Sequence, residues 1–239
     1  MVLFQLTPMR IITIYVAQGV IFAFFLFLAI KILKRDRKRL NVIFAGFYIS
    51  PVFGMFVNFI YGPMTDVNLV LVLNFVTNFG IFYSPIFLVV FDLILLKSEK
   101  VITTTKQTLI FLAYGIALFS MVFFLFIPGA GVTLNANWSP VWSLPFFIYV
   151  ISVVSIGAVI PFLYLSLQIY KKFEDDILKK KWKFFIYGFF CLLVFLYGIF
   201  ISNTLNIDIF RTLLGLVGLI LAIIAGYLMY SGVGRQLEK

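Results

Sequence analysis

Apolar residues fall into seven blocks along the chain, each closed by a short polar or basic break. A helix needs about 20 such residues to cross the hydrocarbon layer. The blocks predict spans at residues 11–32, 42–61, 69–96, 109–127, 144–169, 184–202 and 209–230. The breaks alternate in charge. Residues 31–39 hold six basic side chains and one acid, 97–106 hold three basic ones, and 171–183 hold six basic and three acidic ones. The other breaks, at Gly62-Pro63, at 128–140 and at 203–208, contain no Lys or Arg. With Arg235 and Lys239 in the tail, 17 of the 19 basic residues lie on one side, and only Arg10 and Arg211 on the other. Short loops rich in Lys and Arg stay cytoplasmic. The expected fold is therefore all-α: one polytopic seven-helix domain over 1–239, amino terminus outside and carboxyl terminus inside.

Polar and small residues inside the blocks predict which faces pack. In span 2, Gly46, Ser50, Gly54 and Asn58 recur every fourth position, a stripe that permits close helix approach in lipid. In span 3, Asn74, Asn78, Ile81, Pro85, Leu88 and Asp92 share one face, while Phe75, Phe82, Ile86 and Val90 cover the others. That polar stripe is expected to turn into the bundle. Gly215, Gly218, Ala222 and Gly226 make a small-residue face on span 7. Pro51, Pro85 and Pro161 lie within spans, and bends are expected at the first two. Residues 171–183 fit either a short amphipathic helix against the membrane or the ends of two long spans. The uncharged connection 128–140 reads as a loop, with Trp138 and Trp142 near the interface.

Composition agrees with this pattern and removes several classes of chemistry. The chain is 63% apolar with a mean hydropathy of +1.13, and only 12% of residues are charged, about half the fraction usual for a soluble domain. The net charge of +10 would suggest nucleic acid in a soluble protein. Here the basic residues sit at span ends, so they read as orientation signals and contacts to anionic headgroups, and no nucleic-acid partner is expected. There is no His and one Cys, Cys191. His-based catalysis, Cys-based metal sites and an intrachain disulfide are excluded. Span 7 has no Lys to form a retinal Schiff base. Residues 11–30 are too long an apolar run for a cleaved leader. Neither enzymatic activity nor a bound cofactor or metal is expected.

The remaining candidates are polar groups inside the spans. Asn58, Asn74, Asn78, Asp92, Asp208 and Arg211 are the expected cavity or polar network. Asn74 and Asn78 can glue helices together or floor an outward cavity. Asp92 can act as a gating or proton-coupled switch, or can cap a network near the interface and pair with Lys97 or a loop Lys. Asp208 and Arg211 are three apart and suit a helix-end ion pair, with Asp66 as a competitor for Arg211. Lys179, Lys180, Lys181 and Lys183 form the expected cytoplasmic docking patch. Asn137-Trp138-Ser139 matches a glycosylation acceptor, weakened by Pro140.

The layout of residues 164–170, the charged run 171–183, the aromatic run 184–198 and the Gly-rich last helix from Arg211 resembles the seven-span amino-terminal sensor region of archaeal and bacterial histidine kinases. That resemblance implies a bundle that senses a ligand or membrane signal and passes it to a cytoplasmic domain. The tail, 231–239, is short for an output domain, so a separate signalling partner is expected. The signal is expected to enter between the outer ends of spans 2, 3, 5 and 7. Transport along a path joining Asn74, Asn78 and Asp92, and a non-catalytic accessory role, are the alternatives. Other expected partners are anionic lipid and a second copy of the chain, in the cell membrane.

Overall fold

The computed structural model describes residues 11–234. Arg10, Arg235 and Lys239 of the charge pattern lie outside the described residues. Within them are seven helices long and apolar enough to cross a membrane. They are α1 (Ile12–Arg35), α2 (Arg39–Tyr61), α3 (Val67–Lys97), α4 (Thr104–Leu125), α5 (Leu144–Lys172), α6 (Asp176–Leu205) and α7 (Asp208–Val233).

Four of the seven helices begin where the sequence supplies a side-chain acceptor. Asp66 caps α3 by accepting from the Leu69 amide at 3.0 Å, and Asp175 caps α6 by accepting from the Ile177 amide at 2.6 Å. Thr103 and Ser143 do the same for α4 and α5. The helices overrun the apolar blocks into the charged breaks. A 30-residue helix such as α6 is about 45 Å long, against about 30 Å of hydrocarbon. Residues 171–183 are thus the ends of α5 and α6, joined through residues 173–175, rather than a separate surface helix.

The prolines act differently. Pro51 lies within a continuous α2. Helix α3 is interrupted at Ser84, directly before Pro85. The Ser84 hydroxyl donates to the Phe47 carbonyl of α2 at 2.6 Å, so the break is anchored. In α5, a π-turn over Ser155–Val159 precedes Pro161. The wider turn accommodates a ring that would clash with an α-helical carbonyl one turn back.

One connection departs from the sequence expectation. Residues 128–140 are not a plain loop, because Val132–Leu134 (β1) and Pro140–Trp142 (β2) pair antiparallel, Val132 opposite Trp142. The Asn135 carboxamide closes the turn by accepting from the Asn137 and Ser139 amides at 2.9 and 3.0 Å. Trp138 takes up a left-handed conformation, φ 57°.

Helix α3 is central. It packs extensively on α2, its second half lies against the second half of α5, and α4 flanks it. Helices α6 and α7 form the other large contact, and α7 reaches α1. The α2 stripe makes a close crossing with α3. A Cβ on Gly54 would lie 2.6 Å from the Thr77 carbonyl oxygen, and one on Gly80 would lie 3.0 Å from the Gly54 nitrogen. Ser50 donates to Gly80 O at 2.6 Å and Thr77 to Gly54 O at 3.1 Å. Close approach and hydrogen bonding to exposed carbonyls replace the hydrophobic drive that lipid does not supply.

The two ends of the bundle differ. At the basic end Arg39 donates to Gln107 Oε1 at 2.8 Å, and Arg35 and Lys31 lie over the Tyr230 ring at 4.8 and 5.0 Å. On the loop there, a hydrogen bond from Lys38 holds the Asp36 carboxyl below its usual range. At the hairpin end Asn135 donates to Asn206 Oδ1 at 3.0 Å, tying the hairpin to the α6–α7 turn.

Candidate functional site

A cavity of about 710 Å³ opens at the hairpin end. Its walls come from α1, α2, α3, α6, α7 and the hairpin. Helix α5, expected at this entrance, contributes nothing to it; α1 and α6 stand there instead. The reason is the hairpin, which leaves α4 and enters α5 but folds over α3 and the α6–α7 turn.

The polar wall is built from pairs of amides. Asn58 on α2 donates to Gln18 Oε1 on α1 at 2.6 Å. On α3, Asn78 donates to Asn74 Oδ1 at 3.0 Å, and Asn74 donates to the Tyr61 hydroxyl at 2.9 Å. Asn58, Asn74 and Asn78 are 4–8% exposed and line the cavity. Across from them lie Ser202 and Asn203 at the end of α6, and Asp208 and Arg211 at the start of α7. The apolar lining comes from Ile14, Ile21, Ile81, Phe195, Ile199 and Leu214. Trp138 and Pro140 of the hairpin cover the mouth.

Arg211 is not paired with Asp208. Its Nη2 donates to the Pro140 carbonyl at 2.7 Å, and its Nε is buried with no partner. The three-residue spacing would allow a helix-end pair, but the hairpin carbonyl takes the guanidinium and Asp208 remains exposed. Asp66 does not compete, because it caps α3.

Asp92 stands apart. It is fully buried and is not in the cavity wall. Its partner is neither Lys97 nor a loop Lys: the Ser166 hydroxyl of α5 donates to Oδ2, and Oδ1 has no partner. Trp182 of α6 donates to the Ser166 carbonyl at 2.9 Å, so this cluster joins three helices. Phe185 packs on Trp182 and faces Phe91, and both phenyl rings are fully buried. Between cavity and Asp92 along α3 lie Phe82, Ile86 and Leu88, each no more than 2% exposed.

The docking lysines occupy the first turns of α6. Lys180 and Lys183 are exposed, whereas Lys179 and Lys181 are half-buried. Lys179 approaches Asp176 at 3.8 Å, and Lys183 lies 5.6 Å from the Tyr170 ring centre. The four therefore do not form one flat face.

Of the six candidate network residues, Asn58, Asn74, Asn78, Asp208 and Arg211 share the cavity. Gln18, a polar member of span 1 that the sequence offers as a cavity-lining residue, joins it. Ser202 and Asn203 join it from the end of α6 without having been singled out. Among the described residues no cluster of His, Cys, Asp and Glu could hold a metal ion. No protein-family model matches the chain, and no curated protein shows significant similarity to it.

Proposed function

We propose that the protein is a seven-helix membrane sensor of the cell membrane, with the hairpin end outside and the basic end cytoplasmic. The observation that carries this reading is the amide-lined cavity, which draws walls from five helices and the hairpin. A small molecule bound there bridges the α2–α3 unit and the α6–α7 unit. Any difference in its affinity for two arrangements of these units would shift their equilibrium. The change would leave through the basic end, where Lys179, Lys180, Lys181 and Lys183 meet anionic lipid or a separate acidic signalling protein. Sensing is favoured over transport because the cavity ends above the packed Phe82, Ile86 and Leu88 layer.

Gly215 provides the test. It lines the cavity, and a Cβ there would meet nothing within 4 Å. Gly215→Leu should fill the space without straining the fold. A thermal-stability screen of small metabolites on the protein in nanodiscs is expected to give compounds that stabilise the parent chain and not Gly215→Leu. Equal stabilisation of both proteins, or of neither, would remove the cavity as a ligand site.

A further inference from the structure

Resting on the reading of this cavity as a ligand site, we propose that its ligand is a small amphipathic anion, with a carboxylate or phosphate head on an apolar body. The head meets Arg211 beneath the hairpin.

The argument starts from the charges of the wall. Among the described residues that line it, Arg211 is the sole cation and Asp208 the sole anion. They are not in contact, and they differ in setting. Asp208 is exposed at the rim, where water solvates it, whereas Arg211 is half-buried. One donor of the guanidinium is satisfied by Pro140 O, while Nε is buried with no partner. Asp208 attracts the guanidinium across a distance but makes no hydrogen bond to it, and an anion that fits its planar fork would supply those bonds. The wall beside it is apolar on α6 and α7, through Phe195, Ile199 and Leu214. The amides stand on the opposite side, and Asn78 Oδ1 is left as an acceptor there. An anionic head at Arg211 with an aliphatic body along α6 and α7 matches the guanidinium and the apolar wall. The volume is within the roughly 300–1,000 Å³ of small-molecule sites.

The same chemistry can come from a soluble metabolite or from a lipid headgroup. The test uses hexanoate, hexanol and hexylamine, which share an apolar body and differ in charge. Thermal unfolding of the protein in phosphatidylcholine nanodiscs is measured with each. Stabilisation by hexanoate alone is expected, with a Kd at least tenfold weaker in Arg211→Gln. If Arg211→Gln does not fold, the ligand series on the parent protein still decides. Repetition in phosphatidylglycerol nanodiscs assigns the source. An unchanged hexanoate response identifies a soluble anion, and a response lost to competition identifies the headgroup; both keep the anion site. Hexanol or hexylamine binding as well as hexanoate would overturn the anion while leaving a ligand cavity. No response to any of the three in either lipid, with the Gly215→Leu screen equally silent, would remove the cavity reading as well.

Discussion

Asp92 is fully buried, and one of its carboxyl oxygens takes the Ser166 hydroxyl while the other has no partner. Replacing it with Ala would strand that hydroxyl and open a gap beside it. Loss of a buried hydrogen-bond partner costs about 1–3 kcal/mol. Asp92→Ala should therefore lower the unfolding midpoint in detergent, whereas Asp92→Asn, which keeps an acceptor and the shape, should stay within about 1 kcal/mol of the parent. If Asn proved as damaging as Ala, the bond from Ser166 would not be what holds α5 to α3. The inward direction of Asp92 was legible from the four-and-three spacing of its stripe. Its partner was not. Ser166 is 74 residues away, and Lys97, the near cation in sequence, is exposed at the end of α3. Arg211 gives the same lesson: spacing offers Asp208, but the fold supplies a hairpin carbonyl 71 residues distant.

At the scale of elements, two small-residue stripes that read alike behave differently. On α2, Gly46, Ser50 and Gly54 all meet α3, only Asn58 turns to α1, and Gly54 faces backbone of α3 that cannot yield. Gly54→Leu should force the helices apart at a cost of about 1–3 kcal/mol from overpacking, plus about 0.6 kcal/mol for each interhelical hydrogen bond broken. On α7 the stripe is divided. Gly218 faces Phe195 of α6, Gly226 faces Phe24 and Leu28 of α1, and Gly215 faces the cavity. Gly215→Ala removes a helix-interior glycine where space is open, and should gain up to about 1 kcal/mol. A reversible unfolding titration of both variants checks the pair, and equal losses would mean that the α2–α3 crossing is looser than its geometry. Periodicity identifies a small face but not what it meets. The hairpin was hidden for a related reason. Its strands are three residues each, too short for alternation to be visible, and the Asn135 turn stabilises them through side-chain bonds that composition does not reveal.

Across the whole molecule, apolar length located all seven crossings, yet every helix that borders a basic break continues into it. Hydropathy reports where hydrocarbon ends, whereas backbone hydrogen bonding continues until a cap or a breaker intervenes; α6 thus begins at Asp176, behind Asp175, rather than near Phe184. The charge difference between the two ends leads to the orientation, and the orientation decides where the cavity opens. Cys191 is the single cysteine, so Cys191→Ser gives a clean background for labelling. Thr133 on the hairpin and Lys180 on α6 are both exposed. With the basic loops inside, an impermeant maleimide should label Thr133→Cys on intact cells and reach Lys180→Cys only after permeabilisation. The reverse pattern would put fifteen basic side chains of the three loops outside, against the rule that positive loops remain cytoplasmic. The amide-lined cavity would then face the cytoplasm, and a sensor of external anions would become a reader of internal ones.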